Sequence, residues 1–405
     1  MNHKKISCVI LFLISICTFA IEEIKQNLIA GGFPPDYAEK LAPLQKTHPE
    51  WTFEALQITK LNPQYTWNYV LHQETEANPS RTLISVNKAF TAYRHPTDLK
   101  SYDAGFRRAS VEAAAYFLDP RNFLNERDIF QFKDLSAPGE ILPHTVASAI
   151  AKTFMADAKL ENGKTYTEYF CELGRLFNIN PLFLAARVRQ EQGLHGTPLI
   201  DGKCGTLLLH YYNNKIQHEN GYSVLTPDKV FEVSELANFD NLYNFFNINA
   251  SGNGRFTIYY HAMKEAAGGT PEMSETWGNP AWNTKWKSLY GGALKIARRY
   301  INNYQNTRYL QKWNVDFRSK TEKGESRNFW GQYMQNAGAA FSEAVNEYKA
   351  LQKDNMLNLP YKFLIPVYAG MPELPAPDPA NGKCPYYKVY SPLKNITNQP
   401  RKEKK

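Results

Sequence analysis

Asn180-Pro181-Leu182-Phe183-Leu184-Ala185-Ala186-Arg187-Val188-Arg189-Gln190-Glu191-Gln192-Gly193 reads as one short helix that delivers a single carboxylic acid to a cleft. Asn180 is a good N-cap. Pro181 suits the first helical position because its missing N–H would have been unpaired there anyway, and Gly193 suits the left-handed residue after a helix end. Leu184, Val188 and Glu191 are spaced i, i+4, i+7, so the acid shares a face with apolar positions that dock on a core. Partial burial disfavours the charged form of a carboxyl group there, and the negative end of the helix dipole acts in the same direction. A carboxyl kept protonated near neutral pH is what a general acid requires. The bland alternative is a solvated glutamate at a helix end, which a phase error of one residue would produce.

Around this stretch lies an ordinary globular composition: 405 residues, 43% hydrophobic and 14% aromatic, enough for a sizeable core and two or three domains. Lys4 and Lys5 belong to a removable segment and residues 401–405 form a basic end, so the body is closer to neutral than the whole-chain +8. No basic stripe interleaved with aromatics is present, which argues against nucleic acid as a partner and leaves an acidic polymer open. Residues 1–20 have the pattern of a secretory signal peptide: lysines at the start, an apolar run from Val9 to Phe19, and Thr18-Phe19-Ala20 at the cleavage site. An uncleaved anchor is the alternative. The expectation is a secreted, extracellular monomer without stable membrane insertion.

Cleavage would remove Cys8 and Cys17, leaving Cys171, Cys204 and Cys384. An odd count in an oxidising compartment permits one disulfide, for which Cys171–Cys204 is the guess because both flank the central helix. Metal-ligand spacings are missing, with no C-x-x-C and no H-E-x-x-H, so no metal and no cofactor are expected. His195 and His210 read as surface or packing residues. Asn249-Ala250-Ser251 and Asn395-Ile396-Thr397 are glycosylation sequons that matter only in a host with that machinery.

Residues 21–140 alternate short helical and strand-like pieces with proline punctuation and form an N-terminal α+β module. Val111–Leu118 reads as a helix that Asp119-Pro120 ends, because a residue before proline is pushed out of the helical region. Ser136-Ala137-Pro138-Gly139-Glu140 is the best boundary. Helical patterns then cover about 145–157, 165–177, 181–192, 286–303 and 326–352. Residues 201–256, with five glycines among β-branched and aromatic residues, suggest hairpins or a loop-rich lobe. A domain of 141–360 is followed by a C-terminal extension of 361–405, strand-like at 363–368 and disordered beyond about 390.

Several stretches, in order, resemble the bacterial-type endo-β-N-acetylglucosaminidases of glycoside hydrolase family 73, in particular the long exported Gram-positive autolysins. They are 119–126 with Ile129-Phe130-Gln131-Phe132, 186–191, 243–248, Gly291-Gly292 with Tyr300-Ile301, 305–315 and 331–335; residues 34–53 resemble the family's leading module. The resemblance spans about residues 33–368. It implies a mainly α (α+β) fold, a lysozyme-like catalytic domain with a small β-lobe, and peptidoglycan glycan strands as the partner. Carried over by motif, Glu191 matches the catalytic glutamate, and Tyr333 matches a cleft tyrosine near the substrate's acetamido group, against the alternative of a core tyrosine on the last helix. Tyr243, Asn244 and Phe246 match the motif lining the cleft floor, where packing is an equal alternative. Tyr309 falls in a further matching stretch and is taken as substrate-binding.

Beside these, Trp277, Trp282 and Trp286 lie in a loop leading into a helix, with flat rings that suit either sugar faces or a core; Trp282 is the first candidate for sugar contact. A second catalytic group is not chosen by any motif. An inverting enzyme needs a base ~6.5–9.5 Å from the acid, a retaining one a nucleophile at ~5–5.5 Å, and a substrate-assisted one neither. Glu219, Asp228, Glu232, Glu235 and Asp240 are the candidates, in the region where the sequence departs most from the family. Asn247 and Asn249 also replace residues that are often glycine there. The competing readings are a muramidase or lytic transglycosylase, and a catalytically decayed glycan-binding protein. A nucleophilic hydrolase is disfavoured because no G-x-S-x-G elbow occurs.

Overall fold

The computed structural model describes residues 20–388 apart from 104, 137–142, 220–221, 225–232, 253 and 354. The signal-like segment, Cys8, Cys17, Asp228, Glu232, Asn395 and the expected disordered tail lie outside the described residues. The chain forms two units, one from residues up to 135 together with 303–390, the other from 136–302. The boundary at Ser136 is where the turn-forming stretch begins. The expected domain end at 360 is not a boundary, because the chain has already returned to the first unit at Asn303.

That return has a visible cause in the first unit. Strand Thr52–Gln57 pairs in parallel with strand Lys362–Val367, aligning Phe53 with Phe363 and Ala55 with Ile365. The Lys362–Val367 strand is buried at every position but its first, which is why its sequence is an apolar run rather than an alternation. Residues 361–388 are therefore integral to the unit and not an extension to it. Behind the strands, Trp51 is fully buried, edge-on to Phe130 at 5.6 Å and tilted against Phe363 at 5.0 Å. Helix Ala339–Lys353 packs on the 3-10 turn Asp128–Phe132. A separate antiparallel sheet orders Leu83–Ser85, Phe106–Arg108 and Ser101–Asp103.

The family-like stretch 119–126 is a scaffold. Helix Val111–Leu118 ends where expected, at Asp119 with ψ 106. The Asp119 carboxylate, fully buried, accepts from the Arg121 backbone N–H at 3.0 Å, from its Nε at 3.0 Å and from its Nη2 at 2.9 Å. Arg121 in turn donates to Asp36 Oδ2 at 3.1 Å and the Pro372 carbonyl at 2.9 Å, clasping the proline-rich segment. Glu126 Oε1 lies 2.7 Å from His48 Nε2, and the His48 ring stacks on Trp51 at 3.9 Å.

The second unit is built mainly from helices Pro143–Ile150, Tyr166–Phe177, Pro181–Gln192, Cys204–Asn213, Arg255–Gly268 and Lys285–Arg299. Tyr166–Phe177 starts on a capping box in which the Thr165 hydroxyl accepts from the Glu168 N–H at 3.2 Å and the Glu168 carboxylate accepts from the Thr165 N–H at 2.8 Å. It ends at Asn178, φ 55, and a Cβ on Gly174 would stand 2.8 Å from the Ile179 carbonyl oxygen, so the turn into the next helix is tight. Helix 145–157 is shorter than expected, since Lys152 takes a left-handed φ of 63. Helix 326–352 begins only at Ala339. Residues 326–338 are held irregular by Asn328, which donates to the Asn314 and Asp316 carbonyls, both at 2.7 Å.

The expected lobe at 201–256 contains, among the described residues, a short hairpin and loops together with a helix that the sequence reading did not place, Cys204–Asn213. Its strands among the described residues are His218–Glu219 and Tyr222–Ser223, while Cys204, Leu208 and Tyr211 fall on one buried helical face that the glycine-rich reading overlooked. Helix Arg255–Gly268 adds Phe256 and Met263 to the same core, with Trp282. Cys171, Cys204 and Cys384 are buried free thiols, so the guessed Cys171–Cys204 disulfide is not formed. Burial pushes the Cys204 thiol well up and the Cys384 thiol up to about 11. No helix among the described residues is long and apolar enough to cross a membrane.

Candidate active site

Helix Pro181–Gln192 has the limits its sequence predicts. Asn180 Oδ1 accepts from the Leu182 N–H at 2.9 Å, Pro181 occupies the first turn, and Gly193 closes the helix at φ 70 with its N–H on the Arg189 carbonyl at 2.9 Å. Leu184 and Val188 are fully buried, so the helix is fixed in rotation and Glu191 emerges at a defined place. The Glu191 side chain is 19% exposed, shielded but reachable. One turn earlier, the buried Arg187 holds Nη1 3.9 Å from Glu191 Oε1, and its guanidinium lies over the Phe183 ring at 5.2 Å.

What aims the carboxyl group is a loop distant in sequence. Asn247 Nδ2 donates to Glu191 Oε2 at 2.9 Å and to the Glu191 carbonyl at 3.2 Å. Asn247 has φ 52 and Asn249 φ 58. Both positions thus keep the left-handed backbone that favours glycine, and asparagine is among the few side chains that tolerate it. At 247 the asparagine side chain supplies the amide that reaches Glu191.

Gln192 is the residue the sequence reading missed. Fully buried, its Nε2 donates to the carbonyls of Asn244 at 3.1 Å and Phe245 at 3.0 Å and to Asn247 Oδ1 at 2.7 Å, while its Oε1 accepts from Thr197 Oγ1 at 2.5 Å. It bolts the helix end to the loop that carries Asn247. Only its position beside Glu191 marked it. Gln192→Ala should leave three acceptors without their donor, lower stability by about 1–3 kcal/mol and release Asn247. Thermal unfolding should show the loss; an unaltered midpoint would refute the bolt.

Of the cleft-floor motif, Asn244 is fully buried, donating to the Ile248 and Ala262 carbonyls at 2.9 and 3.0 Å and accepting from the Ile248 N–H at 3.0 Å. It shapes the loop and offers no surface to a ligand. Phe246 is buried against Gly292, where a Cβ would come within 2.2 Å of its ring. Tyr243 is half-buried, and its phenol is pushed up by burial first, then by Glu161 and Asp201, so it remains a hydrogen-bond donor.

Two further expectations are corrected by burial. Trp282 has no exposed surface: its Nε1 donates to Thr270 Oγ1 at 3.0 Å, and a Cβ on Gly291 would lie 2.2 Å from that nitrogen. The Gly291-Gly292 pair thus makes room for Trp282 and Phe246. Tyr309 is equally buried in the first unit, its hydroxyl 2.5 Å from the Leu118 carbonyl and 2.7 Å from the Tyr368 hydroxyl. Neither ring can meet a sugar without opening a core. Tyr333, also in the first unit, is half-buried in the irregular segment before the last long helix and not on it, with its N–H on the Gln311 carbonyl at 2.8 Å.

The described acidic candidates for a second group are each engaged. Glu219 Oε2 accepts from Tyr211 and Arg255 Nη1, both at 2.8 Å; Glu235 pairs with Lys264 at 2.9 Å; Asp240 Oδ1 accepts from the Thr206 N–H at 2.9 Å. Among the described residues no group of three or more His, Cys, Asp or Glu side chains could hold a metal ion.

A scan of the sequence against protein-family models finds no match, and a search of curated proteins finds none either. Among solved structures, the chain is similar to S. aureus glucosaminidase B at 18% identity and a TM-score of 0.44, over 79% of this chain and 94% of that one. It is similar to a major bifunctional autolysin at 16% identity and a TM-score of 0.41, over 78% and 97%. A catalytic mutant of S. aureus autolysin E in complex with the disaccharide NAG-NAM is similar at 15% identity and a TM-score of 0.38, over 71% and 96%.

Proposed function

We propose that this chain is an exported peptidoglycan hydrolase that cleaves the β-1,4 bond between N-acetylglucosamine and N-acetylmuramic acid. Glu191 is the general acid that protonates the glycosidic oxygen as the sugar becomes oxocarbenium-like. The observation that carries the reading is the placement of Glu191: a 19% exposed carboxyl group on a rotationally fixed helix end, aimed by Asn247. A solvated helix-end glutamate would have neither the shielding nor the clasp. Support also comes from the ordered family-like stretches and from the signal-like residues 1–20. Tyr243, at the edge of the loop in the same unit as Glu191, is assigned to substrate contact.

Product analysis on defined peptidoglycan tests the bond. New N-acetylglucosamine reducing ends are expected in the solubilised fragments. Muramic acid reducing ends would overturn the assignment in favour of a muramidase, and anhydro sugars in favour of a lytic transglycosylase. Retained binding with no release at all would identify a decayed glycan-binding protein.

A further inference from the structure

The second unit carries a groove of about 470 Å³ between helices Tyr166–Phe177, Glu272–Trp277 and Lys285–Arg299. Trp277 stands at its edge, 37% exposed, and is held in place by two rings at right angles to it: Trp286 at 4.9 Å and 83°, and Tyr290 at 5.0 Å and 89°. Tyr169 and Leu176, the latter 57% exposed, continue the apolar lining. Several large apolar side chains share this one concavity, unlike the single exposed residues any surface carries. The Glu191 carboxyl group is not among the lining residues.

We propose that this groove is a second carbohydrate site, which takes a short, uncharged oligosaccharide of N-acetylhexosamines. Three observations select that ligand. Its volume lies within the ~300–1,000 Å³ of small-molecule sites. Trp277, held by two rings and 37% exposed, offers part of a flat apolar ring of the kind that matches the C–H faces of pyranose rings. Around them stand the Asn162 amide, the Thr276 hydroxyl and the Glu172 carboxylate, which suit hydroxyl and acetamido groups. Glu172 is ion-paired with Lys164, so the rim offers polar atoms without a net charge and fits a neutral ligand better than an ionic one. Such a site would hold the chain on a glycan polymer whether or not Glu191 performs the cleavage.

The test uses full-length mature protein labelled with 15N at tryptophan, titrated with triacetylchitotriose and followed through the indole N–H resonances. Trp277→Phe and Trp286→Phe assign two of the signals. The Trp277 and Trp286 resonances should move together along one binding curve, and Trp282, buried in the core, should not follow them. Thr276→Arg, which fills the exposed rim without touching the core, should weaken that curve about tenfold or more. The titration is repeated in Glu191→Gln, where the ligand is not turned over, and the curve should be the same there. Resonances of Trp277 and Trp286 that stay still at millimolar chitotriose, or a curve that Thr276→Arg leaves unchanged, would overturn the site while leaving the reading of Glu191 untouched.

Discussion

Glu191→Gln should leave a folded chain that turns over cell walls about 10²–10⁴ times more slowly, the contribution of a positioned general acid. Glutamine is nearly isosteric with the acid and its carbonyl oxygen can still accept from Asn247 Nδ2, so the 2.9 Å clasp can survive. What it lacks is a transferable proton. Arg187, 3.9 Å away, loses a carboxyl neighbour, but its guanidinium keeps the Phe183 ring beneath it. Clearing of a cell-wall suspension, together with the appearance of reducing ends, reads the rate, and thermal unfolding checks the fold. Lysis at the parental rate would remove the mechanism, since no motif nominates a different acid.

The largest loss of stability is expected in the first unit, from Glu347→Ala. Glu347 is buried and accepts from Arg308 Nη1 at 2.5 Å and from Lys133, both of which are themselves almost fully buried. Removing it strands Lys133 and leaves Arg308 with Glu343 at 3.3 Å, and an uncompensated buried charge costs about 3–5 kcal/mol. Burial alone would raise the Glu347 carboxyl, but Arg308 and Lys133 outweigh it and hold the group below its usual value. Burial pushes the Lys133 ammonium down against the pull of Glu347. Glu347 faces two cations and is the member of the cluster that stays charged. With its folded value depressed, its contribution is fully present above the unfolded carboxylate value of 4.5 and is lost as the pH falls through the folded one. The gap in stability between parent and variant should therefore be wide at neutral pH and narrow progressively in acid. A gap of constant size across that range, or none at pH 7, would contradict the cluster as described.

Sequence by itself determined the local events. The limits of Val111–Leu118, Tyr166–Phe177 and Pro181–Gln192 follow from caps, a proline and left-handed stops whose partners lie within about one turn. The same reasoning placed Glu191 on the face of Leu184 and Val188. Within the lobe that glycine density marked out, the buried face of Cys204, Leu208 and Tyr211 makes residues 204–213 a helix, a tertiary demand that outweighs local composition. Tertiary structure alone decided the rest. It paired residues 52–57 with 362–367, sent Trp282 and Tyr309 into cores, left the three thiols unbridged, and brought Asn247 and Gln192 together around the carboxyl group. In each of these the partners stand far apart along the chain. Whether a ring is packed or offered to a ligand depends on what the fold places against it, and neither spacing nor residue type carries that information.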